Sequence, residues 1–292
     1  MTGQLRIGPA GWSYRDWEGI VYPKGQGKDK LSSLASIFET IEINNTFYRI
    51  PGPRDAESWV CRTEGYKNFR FTVKLNRRFT HSREECDNSA LAQFLEGIKP
   101  LMVADRLGAI LIQFPWSVKY NERELKRIQG LIEACKEYPC VLEFRHESWG
   151  CEEVYTCLRN MGAGWCNIDQ PGLRQCLGMT SIATSTCAYV RLHGRNSKDW
   201  FRDGAGRDAR YNYLYNEDQL AEWCTVIREL TSKSADVFVI CNNHFRGKAV
   251  CNALQLKGML LGEKTRVPSA LVEEYPEILK YTESGSRQLR LF

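Results

Sequence analysis

Residues 109–145, AILIQFPWSVKYNERELKRIQGLIEACKEYPCVLEFR, decide the fold because they contain one complete strand–helix–strand unit. Segments 109–114 and 140–145 are short, largely apolar runs, as expected for parallel strands that are covered on both faces. Between them, NERELKRIQGLIEACKEY carries apolar residues at helical spacing, and Asn121 stands where its side chain can cap the first turn. We therefore expect two parallel strands joined by an amphipathic helix.

The same alternation recurs along the whole chain. Further amphipathic stretches include KLSSLASIFET, ALAQFLEGIKPLMVADRLG and NEDQLAEWCTVIRELTSKS. Eight strands are predicted, at residues 5–11, 40–47, 69–75, 109–114, 140–145, 165–169, 188–193 and 236–241. Eight β/α repeats predict an α/β fold of the TIM-type (β/α)8 barrel class. One unit is irregular, because the segment between Asp169 and Cys187 is too broken for a full helix.

The length of 292 residues suits one barrel. We expect residues 1–262 to form a single β/α barrel domain and residues 263–292 to form a C-terminal helical extension and flexible tail. The chain shows neither a membrane span nor a signal peptide, so we expect a cytoplasmic protein with no membrane partner. Its composition leaves the oligomeric state open.

Cysteine is frequent, with twelve residues scattered through apolar segments. In a large domain such thiols are expected to be reduced and to pack as small hydrophobic groups. The sequence contains no C-x-x-C pair, which argues against a zinc ribbon. A cluster held by cysteines from distant segments stays an alternative.

Polar side chains end nearly every predicted strand, and all four histidines belong to this set. Because the carboxyl ends of parallel strands meet at one rim, we expect these side chains to form a single site. The alternative is an internal network in which Glu143 neutralises Arg191 or Arg145. The set comprises Glu42, Asn44, Asn45, Lys74, His81, Gln113, Glu143, Arg145, His146, Asp169, Arg191, His193, Asn242, Asn243 and His244.

Two further segments carry concentrated charge. Residues 194–216, after the seventh strand, interleave arginines such as Arg195 with Trp200 and Tyr211, a composition that suits phosphates and bases. Three aspartates in that loop favour a self-paired lid instead, and the strand-like alternation of Tyr211, Tyr213 and Tyr215 favours a small packed flap. Residues 62–83 contain seven basic residues against one acidic residue, which indicates either a surface for phosphate backbones or a solvated face.

Several blocks of the chain resemble the YecE-like family, catalogued as domain of unknown function seventy-two. They include IGPAGWSYRDWEGIVYP, FETIEINNTFYRIP, LEFRHESW, YVRLHGRN and CNNHFRGKAVCNALQL, and the resemblance runs from about Ile7 to Leu261. It implies a β/α barrel similar to the endonuclease-IV and xylose-isomerase barrels, and a nucleic-acid role has been suggested for relatives on that basis. Those enzymes bind metals through His, Asp and Glu. Because the strand ends here are rich in Asn, Arg and Lys, we expect no catalytic metal and no cofactor.

The last five residues carry a second resemblance. After the polar stretch TESGSR, the residues Gln288, Leu289, Leu291 and Phe292 match the peptide by which bacterial repair and replication proteins bind the sliding clamp. Arg290 departs from that motif, which often has Ser or Asp there. The alternative is that Leu289, Leu291 and Phe292 pack on the barrel itself.

Together these features favour an enzyme, associated with DNA repair, that binds or acts on a phosphorylated small molecule or a nucleic acid at the rim. The alternatives are a carbohydrate-active hydrolase or isomerase, with Glu143 and either Glu42 or Asp169 as paired carboxylates, and a non-catalytic binding module recruited through the C-terminal peptide. The predicted catalytic residues are Glu143, His146, Asp169, Arg191 and His193. The predicted substrate-binding residues are Asn44, Lys74, Gln113, Arg145, Arg195, Trp200, Tyr211, Asn242, Asn243 and His244.

In the phosphate hypothesis, His193 or His146 exchanges protons and Glu143 orients or activates the attacking group. Arg191, Lys74 and Arg195 stabilise phosphate charge.

Overall fold

The computed structural model describes residues 3–25, 29–82 and 87–283, and it places eight parallel strands in a barrel. Each strand pairs with its neighbour in the order β1-β8-β7-β6-β5-β4-β3-β2, and a single bridge between Ala10 and Glu42 brings β1 to β2. The predicted TIM-type (β/α)8 barrel is therefore confirmed. The strands are β1 (Gln4–Pro9), β2 (Thr40–Ile43), β3 (Arg70–Lys74), β4 (Leu107–Gln113), β5 (Cys140–Glu143), β6 (Gly164–Asp169), β7 (Cys187–Leu192) and β8 (Asp236–Cys241).

Helices lie between the strands and continue after the last one. Asparagine side chains cap two of them: at the predicted cap, Asn121 Oδ1 accepts from Glu124 N at 3.0 Å, and Asn216 Oδ1 accepts from Gln219 N at 2.9 Å. The helices are α1 (Lys30–Ala35), α2 (Pro53–Arg62), α3 (Asn88–Val103), α4 (Glu122–Ala134), α5 (Glu152–Asn160), α6 (Ser197–Trp200), α7 (Arg207–Arg210), α8 (Glu217–Lys233), α9 (Lys248–Leu261) and α10 (Ser269–Glu274).

The irregular unit between β6 and β7 contains no helix, as predicted. The side chain of Asn167, in β6, provides hydrogen bonds that hold this segment in place. Asn167 Oδ1 accepts from Ile182 N and from Thr180 Oγ1, both at 2.8 Å, and its Nδ2 donates to Ile182 O at 2.9 Å. The segment is thereby fixed against β6 without a helix of its own.

The long loop after β7 folds into the two short helices α6 and α7, so the strand-like alternation of its tyrosines does not produce a strand. Tyr215 is buried and donates to Asp169 Oδ1 at 3.0 Å, while Tyr211 lies nearer the mouth of the barrel, its ring 5.3 Å from that of His244. The flap is therefore packed against the strand ends.

Beyond α9 the chain forms α10 and a 3₁₀ turn at Pro276–Tyr281, which contacts α9. The division of the chain at residue 262 stays a prediction. The clamp-binding residues Gln288, Leu289, Leu291 and Phe292 lie outside the described residues, so their role also stays a prediction. In the described part of the chain, no helix is both long and apolar enough to cross a membrane.

The interior of the barrel changes character along its axis. The stacked rings of Tyr189 and Phe238, whose centroids are 6.2 Å apart, lie in its middle. The layer towards the carboxyl ends of the strands is polar, with the fully buried residues Glu42, Glu143 and Arg191. Buried charges are stable only when they are paired. The arrangement of these charges decides what the rim can do.

The seam between β1 and β2 depends on the absence of a side chain at Gly8. A Cβ atom there would lie 1.8 Å from the carbonyl oxygen of Thr40. We expect Gly8→Ala to lower the free energy of unfolding by at least about 2 kcal/mol, because two backbone segments would have to separate. Urea unfolding measures this change. The matched control is Gly130→Ala in α4, where no atom lies within 4 Å of the new Cβ, and it should be neutral or stabilising by up to about 1 kcal/mol.

Candidate functional site

The centre of the candidate site is Arg191, which reaches from β7 to two carboxylates on the other side of the barrel. Its Nε and Nη2 donate to the two oxygens of Glu42 at 2.9 and 2.6 Å, and its Nη1 donates to Glu143 Oε2 at 3.0 Å. The Arg191 side chain is 1% exposed and both carboxylates are fully buried. Such charge-assisted bonds are strong in a dry interior, so Arg191 fixes β2 and β5 to β7.

Glu143 also contacts the next layer of the site. Arg145 Nε lies 2.5 Å from Glu143 Oε1, and His193 Nε2 lies 3.2 Å from the same oxygen. Burial alone would raise the pKa of Glu143, but the positive charges of Arg145 and Arg191 together with His193 hold it well below its usual range. Glu143 is therefore an ionised anchor at neutral pH.

His193 is held as a neutral imidazole. Burial and the nearby charge of Arg145 lower its pKa well below the usual range, although Glu143 opposes that shift. Asn242 Nδ2 lies 3.0 Å from His193 Nδ1. Since an amide NH₂ group only donates, Nδ1 is the acceptor and the ring proton resides on Nε2, facing Glu143. We call Glu42, Glu143, Arg145, Arg191 and His193 the buried ion cluster.

A small cavity of about 70 Å³ opens above the buried ion cluster at the carboxyl ends of the strands. We call it the mouth cavity. Its lining combines predicted site residues with aromatic side chains of the loops that follow β1 and β2. The lining residues are Tyr14, Asn44, Phe47, Tyr48, Lys74, Arg191, Tyr211, Asn242 and His244.

Lys74 is the last residue of β3 and a wall of the mouth cavity. Its Nζ lies 4.0 Å from the centre of the Phe47 ring, and the described residues offer it neither an ion pair nor a hydrogen bond. Burial, followed by the charge of Arg191, lowers the pKa of Lys74 to about 7. The ammonium and the free amine are therefore both populated at neutral pH.

The predicted catalytic residue Asp169 lies apart from this lining and holds the flap. Its carboxylate accepts from Trp223 Nε1 at 2.6 Å, from Tyr215 at 3.0 Å and from Arg195 Nη2 at 2.7 Å. Arg195 also contacts Glu222 at 3.3 Å. Asp169 and Arg195 thus tie residues 194–216 to the end of β6, which is a positioning geometry.

Other predicted residues use their side chains in local contacts. Gln113 Nε2 donates to Phe114 O at 2.7 Å, and Asn243 Nδ2 donates to Tyr213 O at 2.8 Å. His146 Nδ1 accepts from Ser148 N at 3.1 Å. The guanidinium of Arg145 lies 5.4 Å from the ring of Trp200. These residues surround the mouth cavity and do not line it.

The structure thus brings Asn44, Lys74, Arg191, Tyr211, Asn242 and His244 to one cavity, with Glu143, Arg145 and His193 in contact with them. Sequence reasoning missed the lining residues Tyr14, Phe47 and Tyr48. Their position in the sequence could have identified them, because they follow β1 and β2 as closely as the predicted polar residues follow other strands. It also missed Asp208, whose Oδ1 lies 3.3 Å from His244 Nε2.

A second, larger cavity of about 760 Å³ lies beside the mouth cavity. It is lined by segments 78–82 and 117–119 and by the outer face of α4. Its charged lining residues are Arg78, Lys119, Arg123, Lys126 and Arg127, with Glu124 as the acidic one. We call this cavity the basic groove.

The basic stretch at residues 62–83 does not form one surface, which corrects the expectation of a single footprint. Arg70 begins β3 and Lys74 ends it, so the strand separates the two by its full length. Arg70 is paired with Asp105, and Arg62 is paired with Asp29 at the start of α1. Of the lysines and arginines between residues 62 and 82, Arg78 alone lines the basic groove.

Among residues 3–25, 29–82 and 87–283, no three His, Cys, Asp or Glu side chains are placed to hold a metal ion. The cysteines in those ranges are free thiols, and most of them are buried or half-buried.

Comparisons with known proteins place the whole barrel in one family. The family model "Protein of unknown function DUF72" matches residues 6–276. The UPF0759 protein YunF of Bacillus subtilis (strain 168) is 30% identical over 270 residues, which cover 88% of this chain and 94% of that protein. The UPF0759 protein YecE of Escherichia coli (strain K12) is 28% identical over 145 residues, 49% of this chain and 48% of that protein.

Two solved structures agree with the fold. A DUF72 family protein from Thermotoga maritima MSB8 superposes with a TM-score of 0.80 at 33% identity, covering 88% of this chain and 99% of that one. A DUF72 family protein from Enterococcus faecalis V583 gives a TM-score of 0.78 at 24% identity, covering 88% of this chain and 96% of the other.

The pairing of charges in the buried ion cluster leads to a prediction about the free energy of unfolding. We expect Glu42→Gln to lower the free energy of unfolding by roughly 3–5 kcal/mol, because it leaves the buried guanidinium of Arg191 with half of its counter-charge. Denaturant titration at neutral pH is the measurement. Glu133→Gln is the control, since Glu133 pairs with Lys136 on the surface and its loss should cost about 0–1 kcal/mol. Equal losses in the two variants would show that the cluster has no special weight.

Proposed function

The chain belongs to the DUF72 family, and we propose that it binds nucleic acid along the basic groove and acts on a phosphate-bearing part of it at the mouth cavity. The family description assigns no reaction. The proposal is therefore supported by the charges, aromatic rings and shape of the site.

The observation that carries the proposal is the excess of unpaired positive charge in the basic groove. Arg78 and Arg127 have carboxylate partners in Asp87 and Glu124. For Lys119, Arg123 and Lys126, the described residues provide none. Cations that line a concave surface without counter-ions favour a ligand with regularly spaced negative charge, such as a phosphate backbone.

Aromatic side chains lie at the edge of the same groove. Trp116 stands between the lining residues Pro115 and Ser117, and its ring is 5.2 Å from that of Phe201, which is 48% exposed. Lys119 Nζ lies 5.8 Å from the Trp116 ring centre. Exposed rings beside cations can stack nucleic-acid bases without reading their sequence.

The groove and the mouth cavity share a wall. His81 lines the groove, and its ring meets that of Phe47 edge-on at 5.0 Å, while Phe47 lines the mouth cavity. Because the groove is about ten times larger, 760 against 70 Å³, a polymer fits in the groove and only a small group of it enters the mouth. Lys74, Asn44 and Asn242 would contact that group.

The buried ion cluster has a supporting role in this proposal. Arg191 donates hydrogen bonds from all three of its side-chain nitrogens to Glu42 and Glu143. It therefore orients the cluster, and little of its positive charge is left for a ligand. Lys74 supplies the cation that faces the ligand. His193, a neutral imidazole bonded to Asn242, helps to hold that amide in place.

The carbohydrate-active alternative needs one carboxyl group that donates a proton. Glu143 stays ionised between its cationic neighbours, and Glu42 accepts from both Arg191 and Tyr189. Asp169 is surrounded by donors from Arg195, Tyr215 and Trp223. Each predicted carboxylate is thus arranged as an acceptor, which favours the nucleic-acid proposal.

Binding of a fluorescent single-stranded oligonucleotide at several salt concentrations tests the proposal. We expect affinity to fall as salt rises, and the double variant Arg123→Gln/Lys126→Gln to weaken binding by about tenfold or more. Losing two phosphate contacts should also reduce the slope of log K against log salt by about 1.4.

The matched control is Lys99→Gln/Lys136→Gln. It removes the same charge from lysines that are paired with Glu96 and Glu133 outside the groove. Equal effects of the two double variants would mean that net charge, and not the groove, governs binding. Affinity that is independent of salt would refute the phosphate basis of the proposal.

A further inference from the structure

We propose that Lys74 is a nucleophile that forms a Schiff base with the aldehyde or ketone group of an anionic substrate held in the mouth cavity. The anionic character of the substrate rests on the proposed function. The covalent step rests on the surroundings of Lys74 alone.

The first support is the pairing of charges around Lys74. In the buried ion cluster, the two carboxylates Glu42 and Glu143 are matched by the two guanidiniums Arg191 and Arg145. No counter-charge of the cluster is left for the lysine. The only partner that the described residues give Lys74 Nζ is the Phe47 ring face, at 4.0 Å.

A buried structural lysine in the same protein looks different. Lys257 Nζ donates to Ile37 O at 2.9 Å and is paired with Glu39 and Glu263. These partners supply counter-charge to its ammonium group. Lys74 has no such partners and opens onto a cavity, so its surroundings favour a free amine.

The position of Lys74 is rigid, which a nucleophile requires. It pairs with Leu111 in the β3–β4 ladder, and its backbone carbonyl accepts from Thr46 Oγ1 at 2.7 Å. Burial and the charge of Arg191 bring the pKa of Lys74 to about 7, so about half of it carries a lone pair at neutral pH.

The mouth cavity limits what can reach the amine. A volume of about 70 Å³ is roughly that of two liquid water molecules. It accommodates a carbonyl group and one neighbouring atom, while the rest of the substrate stays outside. Asn44, Asn242 and Tyr211 line the cavity and can donate to the carbonyl oxygen.

The covalent step balances without any further reagent. The Lys74 amine forms a C–N bond to the carbonyl carbon, and the carbonyl π pair becomes the hydroxyl of a carbinolamine as the proton moves from nitrogen to oxygen. That hydroxyl takes one proton from solvent or from a lining side chain and leaves as water. The product is a protonated imine, whose positive charge lies over the Phe47 ring and withdraws electrons from the adjacent carbon.

Reductive trapping tests the inference. The full-length protein is incubated with glyceraldehyde 3-phosphate and cyanoborohydride, and the modified peptide is mapped by mass spectrometry. We expect one dominant adduct on Lys74, with a rate that rises through a midpoint near pH 7. The surface residue Lys136 is the internal comparator.

At pH 7 an ordinary lysine has about a thousandfold less free amine than Lys74. The lower basicity of Lys74 offsets part of that advantage, which leaves labelling roughly thirtyfold faster than at Lys136. Lys74→Met and Lys74→Arg should lose the adduct, and Lys136→Met should keep it. Labelling of Lys74 no faster than Lys136 overturns the inference.

Two further arms separate this inference from the proposed function. Glyceraldehyde without phosphate should label Lys74 more slowly than the phosphorylated probe. If both label it equally, the Schiff base stands and the phosphate basis of the proposed function fails. Lys74→Met should melt at or above the wild-type temperature, because it removes the cost of burying an amine. If this variant unfolds instead, the peptide map of the wild-type protein still shows whether Lys74 forms the adduct.

Discussion

The bonds of Arg191 to Glu42 and Glu143 are the interaction on which the site depends. They join β7 to β2 and β5 through the inside of the barrel, where a lone charge would cost several kcal/mol. Arg145 adds the second positive charge that balances the pair. Because the two guanidiniums already match Glu42 and Glu143, the described residues leave Lys74 at the mouth cavity without a counter-ion. Burial, followed by the charge of Arg191, lowers the pKa of Lys74, although Glu143 and Glu42 oppose that shift.

The proposed function divides its work between two cavities. The basic groove has a volume, and cations without carboxylate partners among the described residues, that suit an anionic polymer, whereas the mouth cavity has room for only a small group. The His81 and Phe47 rings form the wall between them. Phe47 also underlies Lys74, so a ligand that moves this ring would change both the passage between the cavities and the surroundings of the amine.

Much of this organisation follows from the sequence. The eight strands, the two asparagine caps and the missing helix after Asp169 were predictable because each depends on local pattern. The polar rim was predictable because parallel strands end at one side. The partners of each charge were not, since they depend on distances across the barrel. Asp169 accepts a hydrogen bond from Trp223, more than fifty positions away. Arg70 and Lys74, at the two ends of β3, lie at opposite ends of the barrel.

Lys74 is a half-buried amine to which the described residues offer no counter-ion. NMR titration of the protein with ¹³C-labelled lysine, with the Lys74 signal assigned from Lys74→Arg, measures its pKa most directly. The account predicts a Lys74 midpoint near pH 7, well below those of the surface lysines. A Lys74 midpoint close to those of the surface lysines would contradict it.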